Sequence, residues 1–107
     1  MRIIAFFRPK SGFGPDDFAP HLVDEEIWSW NQFAAGHIRE LNSAPTFGGM
    51  ICLLEFDSVD EAMAEMHNIP LFKEGMLDLE LHELHPFTNW AILFDAEVRA
   101  RLPPTPP

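Results

Sequence analysis

Residues Met76 to Leu84 read Met-Leu-Asp-Leu-Glu-Leu-His-Glu-Leu. Leu77, Leu79 and Leu81 alternate with Asp78, Glu80 and His82. A period of two marks a β-strand with one apolar and one polar face. His85-Pro86 closes it, because proline cannot donate to a sheet ladder.

Reading back from this strand, Ser58-Val59-Asp60-Glu61 is a capping box, in which the hydroxyl meets the Glu61 amide and the Glu61 side chain reaches back. The helix it opens runs to about Asn68, with Ala62, Met63 and Met66 inward, and Pro70 ends it. Upstream, Gly48-Gly49 opens a near-continuously apolar strand, Met50 to Phe56, suited to the centre of a sheet. A short strand at His37–Leu41 and a connection at Asn42–Thr46 precede it. An earlier helix starts near Asp16 or Asp17, with its body beginning at Phe18 or Ala19, since Pro20 is tolerated only in a first turn. Phe18, Leu22, Ile27, Trp30, Phe33 and Ala34 recur there at roughly helical spacing, and Gly36 stops the helix after Ala35. Arg2 to Arg8 is a first, apolar strand, followed by a loop from Pro9 to Pro15.

The order is β-α-β-β-α-β, an α+β, ferredoxin-like pattern. One such unit places both helices on one face of a four-stranded antiparallel sheet. The strands carry too many apolar residues for the other face to stand in water. Two sheets meeting face to face are therefore expected, a homodimer of the dimeric α/β-barrel kind. Residues 1–88 form this domain and 89–107 a C-terminal arm. Within the arm, Trp90–Phe94 reads as a fifth short strand. Asp95–Leu102 reads as a helix capped by Asp95, with Arg99 and Arg101 at its negative end. Pro103–Pro107 reads as extended chain. The arm packs either across a partner subunit or on its own.

The chain of 107 residues has room for one domain with a modest core. Seven Lys and Arg face seventeen Asp and Glu, a net charge of −10 that argues against nucleic acid and anionic membrane as partners. The lone cysteine, Cys52, lies in an apolar run and reads as a buried, inert thiol. The start lacks the pattern of a signal peptide, and no apolar run is long enough to span a bilayer. A cytoplasmic protein is the expectation.

Ile69-Pro70-Leu71-Phe72, the strand Leu77-Asp78-Leu79-Glu80-Leu81 leading to Leu84-His85-Pro86, and Gly48 with its apolar strand ending Glu55-Phe56-Asp57 together resemble the muconolactone isomerase family. The resemblance spans roughly residues 36–87. It implies a cofactor-free enzyme that takes a proton beside a carbonyl and returns it elsewhere. In that family an acid follows the glycine that opens the third strand; here the position is Gly49.

Candidate site residues follow from the chemistry. Arg39 and Arg8 end or interrupt apolar strands, and each suits a substrate carboxylate or enolate; a salt bridge or a solvated strand end is the plainer role. His21, Glu25 and Trp28 share one helical stripe, a histidine and a carboxylate beside an indole. Asp78 and Glu80 share a strand face with His82, and Asp78 is placed to supply the missing acid if that face lines a pocket. His21, Arg39 and Asp78 are thus the catalytic candidates, with Arg8, Glu25, Trp28 and Glu80 as substrate-binding candidates. His82 and His85 point to opposite faces of a strand, so no metal is expected, and no nucleotide-binding fingerprint is present. Three functions stand open: an isomerase-like enzyme acting on a small lactone, carbonyl or aromatic metabolite, a cofactor-independent monooxygenase or cyclase, and a non-catalytic dimeric binding module.

Overall fold

The computed structural model describes residues 1–105. Four strands, β1 (Arg2–Pro9), β2 (Ile38–Ala44), β3 (Gly49–Glu55) and β4 (Leu77–Leu84), form one antiparallel sheet in the order β2-β3-β1-β4. This is the expected ferredoxin-like topology. The alternation in β4 resolves as read: Leu77, Leu79 and Leu81 turn to the helices and core, and Asp78, Glu80 and His82 lie on the exposed side. In the central strand β1, Ile3, Ala5 and Phe7 are buried under the helices, while Ile4 and Phe6 lie half-buried on the opposite face. Cys52 and Leu54 of β3 complete the floor of the core.

The helices are α1 (Pro15–Phe18), α2 (Leu22–Ala34), α3 (Val59–Met66) and α4 (Pro70–Lys73), with a 3-10 turn at Ala19–His21 joining the first two. Pro15 occupies the first turn of α1, and Pro20 falls within the 3-10 turn, so the long helix starts only at Leu22. Half of the expected capping box of α3 forms: Ser58 Oγ accepts the Glu61 amide at 3.0 Å, but Glu61 Oε2 accepts the Asp57 amide, one residue before the cap, instead of the Ser58 amide. Ala62 and Met66 are buried and Met63 half-buried. Pro70 does more than end this helix. It opens α4, because a residue without an N–H fits the first helical turn, where no intrahelical partner exists.

The second strand differs from the expectation. β2 continues to Ala44, its polar residues tolerated because it is an edge strand paired only with β3. It also bulges at Arg39, where an extra residue interrupts the ladder between Ile38 and Glu40. The bulge lets Leu41, three residues on, return to the same side as Ile38.

The inner face of α2 carries Glu25, Trp28, Ser29 and Gln32, and none of its residues is fully buried. The apolar stripe of Val23, Ile27 and Trp30 points outward, Trp30 being 66 % exposed. A polar chain holds the helix in place: Gln32 Nε2 donates to Glu65 Oε1 of α3, and Gln32 Oε1 meets His37 Nδ1, each at 2.7 Å.

Beyond Pro86 the chain leaves the sheet. Asn89–Phe94 is a 3-10 helix, which corrects the expected fifth strand: its amides close i→i+3 bonds, such as Ala91 to Thr88, instead of joining a ladder. α5 (Ala96–Arg99) is capped by Asp95, whose side chain accepts the Glu97 and Val98 amides. Trp90 and Phe94 are 72 % and 84 % exposed. The arm stretches the molecule to 61 × 30 × 24 Å, with a radius of gyration of 19.1 Å, against about 13 Å for a compact chain of this length. Of the proline-rich end, Pro106 and Pro107 lie outside the described residues.

Candidate functional site

A cavity of about 250 Å³ lies between α2 and the sheet, at the end where β1 finishes and β3 and β4 begin. Its floor is Phe7, Ile38 and Met50; Leu71 and Leu77 close one side, and Leu22 and Leu41 stand at the edge. Glu25, Trp28 and Ser29 reach it from the inner face of α2. The wall is overwhelmingly apolar, the usual character of a small-molecule site with a few polar groups to orient the ligand.

Glu25 is the central polar group. Its Oε2 accepts the Leu71 amide at 3.1 Å. Pro70 begins α4, so the Leu71 amide is one of the helix-start donors that need an outside acceptor. Burial raises the Glu25 pKa. The Leu71 amide opposes that rise, Glu26 adds to it, and His21 opposes it weakly. The result is a carboxyl group with a proton affinity above the ordinary range, set in an apolar wall.

One turn on, the Trp28 Nε1–H is shielded from solvent and has no acceptor among the described residues. Buried donors are rarely left so, because an unmade hydrogen bond costs about 1–3 kcal/mol. Trp28 itself lines the cavity.

Gly49 also lines the cavity. A Cβ at this position would lie 1.9 Å from the Phe7 carbonyl oxygen, so the strands pass too closely for any side chain. The acid that the family resemblance places after the opening glycine therefore has no room here. The carboxyl groups that line the same cavity, Glu25 and Glu26, come from α2 instead.

The sequence candidates divide into two groups. Glu25 and Trp28 share the cavity, and His21 lies close enough to Glu25 to influence its charge but does not line the wall. Arg8, Asp78 and Glu80 come together on the opposite face of the sheet, around Phe6 and Phe47. There Arg8 stands across the ladder from Asp78, donates from Nε to the Phe47 carbonyl at 3.1 Å and rests its guanidinium 3.8 Å from the Phe47 ring centre. Asp78 lies 3.9 Å from Lys10, and Glu80 2.8 Å from His82. Arg39 is exposed in the β2 bulge, outside both groups. The backbone amide of Leu71, which holds Glu25, escaped the sequence reading; the signal was Pro70, which leaves an unpaired amide just after it. Cys52 is buried, and burial pushes its thiol up to about 11, which suits the inert role read for it.

No helix of the described residues is long and apolar enough to cross a membrane. No protein-family model matches the sequence, and a search of curated proteins finds no match. Solved structures do match. One is muconolactone isomerase, with a TM-score of 0.66 at 18% identity, covering 83% of this chain and 95% of that one. Another is 5-chloro-2-hydroxyhydroquinone dehydrochlorinase (TftG) from Burkholderia phenoliruptrix AC1100, in complex with 2,5-dihydroxybenzoquinone. It gives a TM-score of 0.65 at 14% identity, covering 79% of this chain and 94% of that one. The sheet order, the helix placement and these likenesses agree that the chain has the muconolactone isomerase-like fold.

Proposed function

We propose that this protein is a small cofactor-free enzyme of the muconolactone isomerase type, which moves a proton on a compact carbonyl compound. The observation that carries the reading is Glu25, a carboxyl group of raised pKa in an apolar, ring-sized cavity. A base of this kind is better matched to a carbon acid than an ordinary solvated glutamate. The Glu25 carboxylate takes a proton from the carbon beside the carbonyl. The C–H pair flows into the carbonyl, which becomes the enolate oxygen. Glu25 then returns its proton to a different carbon of the conjugated system. The carboxylate is regenerated, and no oxidant or metal enters the balance.

The assembly that accompanies this reading is a homodimer joined through the exposed sheet face. Ile4, Phe6, Ile51 and Leu53 lie half-buried there, and Arg8, Asp78 and Glu80 would meet the partner around them.

The test is proton exchange. Small lactones and cyclic enones are incubated with the protein in deuterated water, and loss of the C–H signal beside the carbonyl is followed by NMR. Wild-type protein should accelerate exchange, and Glu25→Gln should lose about 10²–10⁴-fold of that acceleration, the usual worth of a positioned base. Equal exchange by both proteins would remove Glu25 from the chemistry. Absence of exchange in wild type, together with tight ligand binding, would favour the binding-module reading.

A further inference from the structure

Two apolar surfaces of this chain stand exposed, one on α2 and one on the C-terminal arm. We infer that the arm of one copy docks, antiparallel, along the outer stripe of α2 on a second copy. The inference concerns assembly and is independent of the proposed reaction.

Leu22, Val23, Ile27 and Trp30 line a shallow apolar groove on the outer side of α2, bordered by Glu26. Phe33 extends it, its ring centre 5.7 Å from that of Trp30. All five apolar side chains are exposed, and a contiguous patch of this kind marks an interaction site. The arm offers the complement. Phe87, Trp90, Ile92, Phe94 and Leu102 are exposed as well, and Phe87 and Trp90 meet edge to face at 5.5 Å.

Three observations choose the occupant. First, the arm is badly placed to cover its own stripe. It leaves from the end of β4, over which α3 packs, while α2 packs at the opposite, β2 edge of the sheet. The arm extends from the body, and its 3-10 helix and α5 pack on each other. Second, charge matches. Between Lys10 and Arg39 the chain has five acids, Asp16, Asp17, Asp24, Glu25 and Glu26, and no lysine or arginine. The arm's last charged side chains, after Asp95 and Glu97, are Arg99 and Arg101, both exposed and outside the ion pairs of the described residues. Setting these arginines beside the acids at the start of α2 lays Trp90 toward Trp30 and Phe33 at its end, which fixes the direction. The same acids repel an anionic lipid surface. Third, the area suffices. At about 150–250 Å² for each aromatic side chain, the exposed parts of Phe87, Trp90 and Phe94 offer about 350–550 Å². Two reciprocal arms, counted with the stripes they cover, then reach the roughly 1,200–2,000 Å² of a stable association.

Disulfide trapping on the full chain tests this, since Cys52 is buried and does not compete. Phe94→Cys and Ile27→Cys are made in separate copies, at exposed positions that leave the core untouched. Mixed under mild oxidation, they should give a linked heterodimer, identified by mass, at least tenfold faster than Phe94→Cys mixed with Asp60→Cys, an exposed position on α3. Adding Trp90→Asp to the Phe94→Cys copy should remove that advantage. With Phe94→Cys and Ile27→Cys in one chain, linking should rise with protein concentration. Equal rates at the stripe and at Asp60, or an advantage that survives Trp90→Asp, overturn the inference. Linking within one chain, independent of concentration, assigns the arm to its own α2 and overturns it equally.

Discussion

Replacing Gly49 by alanine adds one methyl group, and the structure sets what that group must displace. Its Cβ would start 1.9 Å from the Phe7 oxygen, 3.0 Å from the Phe7 carbonyl carbon and 3.2 Å from the Arg8 Cα. Real Cβ atoms do not come nearer than 3.0 Å, so the two strands must part by about 1.1 Å. β1 cannot give way freely, because it is paired with β3 on one side and β4 on the other. A backbone hydrogen bond lengthened by that amount passes out of bonding range. Overpacking costs about 1–3 kcal/mol, and one or two lost ladder bonds add about 1 kcal/mol each. The expected loss is about 2–5 kcal/mol, a large part of the roughly 5–15 kcal/mol that holds a domain folded. For a chain of this size that lowers the midpoint of thermal unfolding by something on the order of 10–30 °C. Gly48→Ala is the control. Gly48 has φ +86° and no atom within 4 Å of a new Cβ, so its cost is conformational alone, about 1–2 kcal/mol. Calorimetry and urea unfolding of both variants decide the matter. A Gly49→Ala protein as stable as wild type, or no less stable than Gly48→Ala, would refute the argument that this position excludes an acid.

Ser58→Ala removes the acceptor for the Glu61 amide and should cost about 1 kcal/mol, read as a lower urea midpoint with unchanged slope. Cys52, with its thiol raised to about 11 by burial, should resist a disulfide reagent at pH 8 until the protein unfolds; rapid labelling of folded protein would contradict its burial. Because burial raises the Glu25 pKa, ionised Glu25 disfavours the folded state, and that penalty disappears as pH falls below the unfolded value near 4.5. Glu25→Gln should therefore be the more stable protein at pH 7, with the difference closing below pH 4.5 in thermal scans. Truncation after Pro86 should leave a folded body with an unchanged unfolding midpoint and a smaller assembly mass by light scattering, as expected for an arm that serves a second copy; a collapsed midpoint would show that it supports its own body.

Strands and their order were legible because their signals are local. Alternation in β4, the Ser58 hydroxyl three residues before Glu61, and the apolar run after Gly49 each specify structure within a few residues. The 3-10 helix at Asn89–Phe94 was not legible, since Trp90, Ile92 and Phe94 have a strand-like composition and nothing local reports that no sheet edge is available to them. The direction of the α2 stripe was hidden for a related reason. Apolar spacing locates a face but does not say whether that face meets this chain's sheet or another surface. The inner side is held partly by polar groups, through Gln32 and Glu25. At the site, the helical stripe containing Glu25 and Trp28 was visible, but the separation of Arg8, Asp78 and Glu80 from it was not. That separation depends on which sheet face receives the helices, a fact of topology and not of spacing.

The two unusual features of the site have one local origin. β3 starts so close to β1 that Gly49 leaves no side chain between them, and the cavity loses a position from which a strand could offer an acid. Across the cavity, α4 starts with Pro70, and the next amide, that of Leu71, needs an acceptor. Glu25 of α2 supplies it, and the bond keeps a carboxyl group at an apolar wall that it would otherwise leave for water. The Ile69-Pro70-Leu71-Phe72 element, which first suggested the family resemblance, thus has a physical task in this chain: it fixes the acid on the helix side. An acid held this way lies one helical turn from the unpaired indole of Trp28.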